Sequence, residues 1–165
     1  MLKPINLYSL ISLGAQYVLI LEEIDGPRLI PIWIGPAEGN SIAMHLNNIQ
    51  LPRPMTHDLI VSFLKSMNAK ISKVVITELK ESTFYASIYV EQNGNIQEID
   101  ARPSDSIALA LRASSPLFVN DAIFEQCEPL LKPISKDEVD DFRKKLVHLK
   151  PEDIYRDIKK PPTPD

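Results

Sequence analysis

One strand-to-helix corner, in segment 98–112 (E-I-D-A-R-P-S-D-S-I-A-L-A-L-R), constrains the fold most. It predicts a strand ending near Asp100 and Arg102, followed directly by a helix that begins near Ser104 and Asp105. A weaker copy lies 65 residues earlier: Ile34, Ser41, Ile42, Ala43 and Leu46 align with Ile99, Ser106, Ile107, Ala108 and Leu111. This internal repeat predicts a duplicated strand–strand–helix unit whose two corners face one core.

Length and composition narrow the class of protein. A chain of 165 residues fits one domain or two fused half-domains. It has no apolar run of about 18 residues, so we expect no membrane span, and the alternating apolar residues of segment 5–13 favour a strand over a signal peptide. A single cysteine excludes an intrachain disulfide and a cysteine-rich zinc site, which favours a cytoplasmic location.

The net charge of −4 bears on nucleic-acid binding. Proteins that hold long nucleic acid mainly by neutralising phosphates are usually basic. Nucleic-acid chemistry in this chain therefore requires a local basic site or a metal ion.

Hydrophobic periodicity and turn signals predict an α+β fold. Strands are expected over 5–13, 17–22, 28–34, 73–79, 83–91, 96–101 and 116–119, with hairpin turns at Asp25-Gly26 and Asn93-Gly94. Helices are expected over 37–48, from an N-cap at Thr56 to about 67 with Leu59, Phe63 and Leu64 inward, over 104–113, after Asp121, and from a Ser135 capping box onward.

These elements predict a duplicated β-β-β-α-type unit that forms a single mixed-sheet domain with packed helices. The domain is expected over 1–130, with internal repeats over about 5–66 and 70–126. Residues 131–165 are expected to form a C-terminal helix with an apolar stripe of Val139, Phe142 and Leu146, and a frayed tail. Exposed sheet edges and this stripe predict self-association.

Two Arg-Pro pairs, Arg53-Pro54 and Arg102-Pro103, stand just before predicted helices. Helix N-termini attract anions, and a neighbouring guanidinium adds donors that match phosphate geometry. The same pattern is also explained by arginines that pair with nearby carboxylates and by prolines that begin helices.

Four acids, Glu38, Asp58, Asp100 and Asp105, lie at or near these corners. If two or three of them met, their oxygens would bind Mg²⁺ or Mn²⁺, which could polarise a phosphodiester and activate water. Acids are also favoured in the first turn of a helix without any metal. His57 fits a general acid or base, or else a surface or capping residue.

Several motifs together resemble the bifunctional nuclease domain family. They are R-L-I-P-I-W-I-G-P-A-E at 28–38, R-P-M-T-H-D-L at 53–59, F-Y-A at 84–86 and I-D-A-R-P-S-D-S-I-A-L-A-L-R at 99–112. The resemblance covers about residues 5–126, and the tail also looks like that of single-domain bacterial members. The motif positions are Glu38, Arg53, Thr56, His57, Asp58, Asp100, Arg102, Ser104 and Asp105.

The resemblance implies a nuclease that hydrolyses phosphodiester bonds in RNA or DNA with a divalent metal, and a protein that forms homodimers. It implies catalytic roles for His57, Asp58, Asp100 and Asp105, and metal binding by Asp100, Asp105 and Glu38. It also implies that phosphate is bound by Arg53, Arg102, Thr56 and Ser104.

The alternative is a non-catalytic dimeric binding or regulatory module. In that interpretation the motif residues form a small-anion site or a buried polar network. In either case we expect the residues around Arg102 to meet those around Arg53 in one site. One departure concerns Gly39-Asn40, since family members commonly have Ala after the motif Glu, and this predicts a looser corner at Glu38.

Overall fold

The computed structural model describes residues 1–155 and confirms the α+β class. Strands β1 (Leu2–Leu13), β2 (Gln16–Glu23) and β3 (Arg28–Ile34) lead into helices α1 (Pro36–Leu46) and α2 (Thr56–Ser66). Strands β4 (Ala69–Lys80), β5 (Thr83–Gln92) and β6 (Asn95–Ala101) lead into helix α3 (Pro103–Ala113). The chain continues through β7 (Leu117–Asn120), α4 (Ala122–Gln126), β8 (Leu130–Leu131), α5 (Lys136–His148) and α6 (Pro151–Ile154).

All eight strands form one mixed sheet in the order β6-β5-β4-β7-β1-β2-β3-β8. Each half contributes an antiparallel three-strand meander, β1-β2-β3 or β4-β5-β6. Strand β7 lies between the meanders, parallel to β4 and antiparallel to β1. Each meander passes into a helix, α1 or α3; a common origin of the two units stays a prediction.

Apolar residues occupy every second position along β5 on the face that packs on the core. Phe84, Ala86, Ile88 and Val90 are buried. At the β5–β6 turn, Asn93 and Gly94 both adopt the left-handed conformation that a tight hairpin requires.

One capping prediction is wrong. The cap position of α2 is Met55, not Thr56, because the Asp58 carboxylate reaches back to accept a hydrogen bond from the Met55 N–H at 3.3 Å. Asp121 occupies the cap position of α4 but makes no side-chain cap bond, since its carboxylate accepts from Arg28 instead. The Ser135 capping box of α5 is confirmed, with Ser135 Oγ accepting from the Glu138 N–H.

The inward face predicted for α2 is wrong for Leu59 and Phe63 and correct for Leu64. Leu59 and Phe63 are exposed, whereas His57 and Val61 are buried and Leu64 is partly buried. The helix is rotated so that His57 faces inward, where its ring finds two polar partners.

The C-terminal segment packs on the same core as the two meanders. Leu146 is buried and Phe142 makes an edge contact with the Tyr8 ring at 6.3 Å, while Val139 is half-buried. Tyr155 lies between β3 and β5, with its hydroxyl donating to the Pro31 carbonyl at 2.8 Å. Its ring meets Trp33 and Phe84 edge-on. The predicted frayed tail, 159–165, lies outside the described residues.

Gly39 allows the Tyr17 side chain to lie against α1. A Cβ at this position would overlap the Tyr17 ring and lie 2.8 Å from its Cβ. The Tyr17 hydroxyl donates to Asn40 Oδ1 at 2.6 Å, so Gly39 and Asn40 together hold this ring. The departure from the family pattern is thus accommodated, and Glu38 is held by Arg102 at 2.8 Å.

We expect Gly39→Ala to reduce the free energy of unfolding by about 1–2 kcal/mol. Overpacking costs about 1–3 kcal/mol, and the higher helix propensity of Ala returns up to about 1 kcal/mol. In a Tyr17→Ala background the same change should stabilise the protein, because only the propensity gain remains. Urea unfolding of the wild type, Gly39→Ala, Tyr17→Ala and the double variant measures both effects. If Gly39→Ala cost the same free energy of unfolding in both backgrounds, the result would contradict the contact between Gly39 and the Tyr17 ring.

A partly buried group of three charged side chains joins the β2–β3 hairpin to α4. Arg28 donates from Nε and Nη2 to both carboxylate oxygens of Glu23, at 2.8 and 2.7 Å, and from Nη2 to Asp121 at 2.8 Å. Its guanidinium also lies 4.0 Å from the centre of the Phe124 ring. The hydrogen bond from Arg28 lowers the pKa of Glu23 below its ordinary value of 4.5, against burial, which acts to raise that pKa.

Glu23 is therefore expected to contribute to acid denaturation. Its folded-state pKa lies below its unfolded value, so its stabilisation is complete above about pH 4.5 and is lost as the pH falls through the folded-state pKa. In Arg28→Met this source of pH dependence should weaken. Unfolding free energies measured between pH 7 and 3 test this, and parallel curves for the two proteins would contradict it.

Candidate functional site

The motif residues of α1, α2 and α3 form a continuous chain of hydrogen bonds, which we call the polar relay. It runs from Glu38 through Arg102, Asp105, His57, Ser41 and Arg112 to Asp58. Arg102 pairs with Glu38 at 2.8 Å and Asp105 at 2.7 Å, and Asp105 bonds His57 Nε2 at 2.9 Å. His57 Nδ1 lies 2.7 Å from Ser41 Oγ. Arg112 then donates to Ser41 Oγ at 3.0 Å and to Asp58 at 2.7 Å.

The direction of the relay assigns the His57 tautomer. Arg112 can only donate, so Ser41 Oγ accepts from it and its hydroxyl proton is free for His57 Nδ1. The neutral form of His57 then carries its proton on Nε2 and donates it to Asp105. Every donor in this segment has an acceptor, which accounts for the burial of both Ser41 and His57.

Ser41, His57 and Asp105 have the residue types of a hydrolytic triad, but Ser41 is not placed as a nucleophile. It is only 5% exposed, and its Oγ also accepts from Arg112. A triad serine needs an exposed oxygen that a substrate can approach. The geometry therefore describes a buried network that fixes three helices relative to one another.

The two ends of the polar relay reach the surface at different places. The Arg102 side chain is 66% exposed and borders a small groove of about 270 Å³ that also contains Ser104, Phe84 and Tyr155. At the other end, Asp58 and Arg112 border a cleft of about 550 Å³, which we call the connector cleft because the loop between α1 and α2 forms one wall. His45, Arg53 and Lys65 also line it.

The connector cleft carries cations without partners. The side chains of Arg53 and Lys65 form no hydrogen bond or ion pair within residues 1–155, nor does the His45 ring form a hydrogen bond there. Partial burial would raise the pKa of Asp58, but the hydrogen bond and charge of Arg112 outweigh it and hold that pKa below its ordinary value, with a smaller contribution from His45. An ionised Asp58 thus lies among basic groups that could receive an anion.

The predicted shared site forms only in part. His57, Asp58, Arg102 and Asp105 belong to one network, and Arg53 lies at the cleft with Asp58. Asp100 is exposed on β6, and its carboxylate makes no hydrogen bond or ion pair with any described residue. Thr56 is exposed in the first turn of α2, and Ser104 is buried beside the groove near Arg102.

The three predicted metal ligands do not form a joint ligand set. Glu38 and Asp105 both pair with the Arg102 guanidinium, whose positive charge satisfies the oxygens that a cation would need, and Asp100 does not join them. Residues 1–155 contain no group of three His, Cys, Asp or Glu side chains arranged to hold a metal ion. Dependence on Mg²⁺ or Mn²⁺ stays a prediction.

Sequence reasoning missed four residues of these sites: Ser41, His45, Lys65 and Arg112. Helical spacing held a signal for three of them. Arg112 follows Asp105 by seven residues, Lys65 follows Asp58 by seven, and His45 follows Ser41 by four, so each shares a helix face with a site residue. Ser41 had no signal beyond its alignment with Ser106.

Comparisons with known proteins agree with the motif resemblance. A sequence model described as the bifunctional nuclease domain matches residues 19–131. An uncharacterised protein of Mycobacterium tuberculosis is 37% identical over 148 residues, which cover 84% of this chain and 88% of that protein. Bifunctional nuclease 1 of Oryza sativa subsp. indica is 30% identical over 66% of this chain, and bifunctional nuclease 1 of Arabidopsis thaliana is 26% identical over 62%.

The chain spans only about a third of the plant proteins, 34% and 33% respectively. None of the helices described within residues 1–155 is long and apolar enough to cross a membrane. The match to the family model covers most of the chain, and the relative from Mycobacterium tuberculosis matches along nearly its whole length. The chain belongs to the bifunctional nuclease domain family.

Proposed function

We propose that this protein binds the phosphodiester backbone of RNA or DNA in the connector cleft and hydrolyses it there. The observation that carries this proposal is the pair of unpaired cations, Arg53 and Lys65, on the walls of a cleft in an otherwise acidic chain. Phosphate binding requires such a local concentration of positive charge. The names of the plant relatives, which are bifunctional nucleases, support the same substrate class.

Hydrolysis would need each group in a specific role. A water oxygen attacks phosphorus and gives up a proton, the P–O ester bond breaks, and the leaving oxygen takes up a proton. Arg53 and Lys65 would neutralise the phosphate oxygens, whose negative charge must be stabilised. Asp58 is held ionised by Arg112, which makes it a hydrogen-bond acceptor able to orient the attacking water.

Proton transfer falls to His45 in this proposal, in place of the predicted His57. His45 lines the cleft, and histidine is the side chain whose charge changes most readily near neutral pH. Both ring nitrogens of the buried His57 are engaged, by Ser41 and Asp105. His57 could accept or release a proton at a substrate only if one of these bonds broke, so its proposed role is to position α2.

A second candidate is a binding module without catalytic activity. The observation that favours it is the polar relay itself, in which most motif residues are paired with one another and so are not free to act on a substrate. In that case the connector cleft would bind a nucleic-acid phosphate or a small anion without breaking a bond. The two candidates share the anion site and differ only in bond cleavage.

Cleavage of labelled single-stranded RNA, single-stranded DNA and duplex DNA tests the proposal. We expect cleavage that co-elutes with the protein through successive columns and is lost in the Arg53→Ala/Lys65→Ala variant. Assays with Mg²⁺, Mn²⁺ or EDTA, beside Asp105→Ala, test the predicted metal dependence separately. Binding without cleavage of any substrate under any metal condition would reject hydrolysis and support the binding module.

A further inference from the structure

A second cavity adjoins the connector cleft. It has a volume of about 200 Å³ and lies between the C-terminal ends of α2 and α3 and the start of β4. We call it the α2–α3 groove. Most of its lining is apolar and consists of Val61, Leu64, Ala69, Ile71, Ala113 and Pro116.

The same two helices line both cavities. On α2, Val61 and Lys65 are one helical turn apart and belong to the lining of the cleft and of the groove. On α3, Arg112 lines the connector cleft, and the next residue, Ala113, lines the groove. A ligand held in the cleft therefore has the groove as its immediate neighbour, and the Lys65 side chain is shared by the two.

The rim of the groove is positively charged. Lys65 has no hydrogen bond or ion pair within residues 1–155, and Lys70 makes an exposed pair with Glu91 at 3.2 Å. Exposed pairs of this kind contribute little to stability, so Lys70 can turn to another anion at small cost. None of the described residues that line the groove is acidic. Phosphates on either side of the groove would thus meet a cation.

The size of the groove restricts what can occupy it. Pockets for drug-sized ligands have volumes of about 300–1,000 Å³, and a protein partner needs about 800 Å² of surface, so the groove is too small for either. A single planar ring system suits such a space, and enzymes that hold unstacked bases enclose them between aromatic or apolar side chains. The position beside Lys65 and the connector cleft favours a ring that is joined to a phosphate.

We infer that the α2–α3 groove binds one unpaired base of the strand whose phosphate lies in the connector cleft. This inference rests on the proposed function and adds a contact with a base to it. Lys65 would contact the phosphate that links the two nucleotides. Because the walls are apolar, they would contact the ring faces of any base and would not distinguish one base from another.

Two strands of equal charge isolate the contribution of the base. One is a single-stranded oligothymidylate, and the other has the same length and the same phosphates but abasic residues throughout. Fluorescence anisotropy measures the affinity of the protein for each strand. We expect the wild type to bind the base-bearing strand about tenfold more tightly, the effect expected from one stacked base.

Two variants close the groove in different ways. Ala113→Leu places a larger side chain in it, and Ala37→Leu, at an exposed position of α1, is the matched control. Ser114→Cys introduces an exposed thiol in the lining of the groove, and alkylation with N-ethylmaleimide then blocks the groove in a protein that is already folded. The native cysteine, Cys127, is buried, so alkylated wild type serves as a further control.

Both blocked proteins, Ala113→Leu and alkylated Ser114→Cys, should bind the base-bearing strand as weakly as the abasic strand, with their affinity for the abasic strand unchanged. Ala37→Leu, unmodified Ser114→Cys and alkylated wild type should keep the tenfold preference. A preference that persists in both blocked proteins would overturn the inference, because the base would then lie elsewhere. Equal weakening of both strands would also overturn it, because the block would then act on the cleft.

The wild type separates this inference from the proposed function. Equal affinity for the two strands would overturn the base contact and leave the anion site of the connector cleft intact. Absence of binding to either strand would reject the proposed function and the inference together.

Discussion

Replacing Arg112 with Met is expected to reduce the free energy of unfolding by about 2–3 kcal/mol, because hydrogen bonds from a charged group contribute about 1.5–3 kcal/mol and a buried acceptor left unpaired costs about 1–3 kcal/mol. The Arg112 side chain is 8% exposed and donates to the Asp58 carboxylate, to Ser41 Oγ and to the carbonyls of Ser41 and Ala108. Met preserves much of the volume but none of the donors. The acceptors of the buried residues Ser41 and Ala108 would lose this partner, and α3 would lose its link to α1 and α2.

Arg53→Met is the matched control for this prediction. Arg53 lines the same cleft but has no hydrogen bond or ion pair within the described part of the chain, so its loss should change stability by less than about 0.5 kcal/mol. Urea unfolding of the three proteins provides the comparison. A cost below 1 kcal/mol for Arg112→Met would contradict the structural role of the polar relay.

Removing both unpaired cleft cations has the largest expected effect on binding. Arg53→Ala/Lys65→Ala should weaken binding of single-stranded nucleic acid at least tenfold at low salt, because two phosphate contacts are lost. Each contact contributes about 0.7 to the slope of log K against log salt for single strands, so the slope should become shallower by about 1.4. Fluorescence anisotropy at several salt concentrations measures both quantities.

A variant with the same charge change elsewhere separates the cleft from the overall charge. Arg143→Ala/Lys144→Ala removes one arginine and one lysine from the exposed face of α5, neither of which lines the cleft. It should bind nearly as well as the wild type. Equal loss in both double variants would mean that binding reflects net charge and not the connector cleft.

Local sequence signals accounted for most of the fold. The turns at Asp25-Gly26 and Asn93-Gly94 predicted the β2–β3 and β5–β6 hairpins, and the Ser135 capping box predicted the start of α5. The order of the strands could not be predicted from the sequence, because the placement of β7 between the meanders depends on contacts between residues that are distant in sequence. The orientation of α2 was mispredicted in part because apolar residues cover a wide arc of this helix, and only the partners of His57 decide which part of the arc faces inward.

The residues of the candidate site were also predicted only in part. The motifs identified Arg102, Asp105, His57 and Asp58, which the structure joins. They could not identify what lies between those residues, because His57 meets Ser41 and Asp105 across 16 and 48 positions of sequence. Asp100 shows the opposite error: it belongs to the motif, but the strand leaves it at an exposed edge.

The rate of phosphodiester cleavage by His45→Gln tests the central claim most directly, beside the wild type and His57→Gln in identically purified preparations. Loss of a general acid or base typically costs 10²–10⁴-fold. We predict a loss of that size for His45→Gln with an unchanged unfolding midpoint, whereas His57→Gln should lower the midpoint. Cleavage by His45→Gln at the wild-type rate would contradict chemistry in the connector cleft.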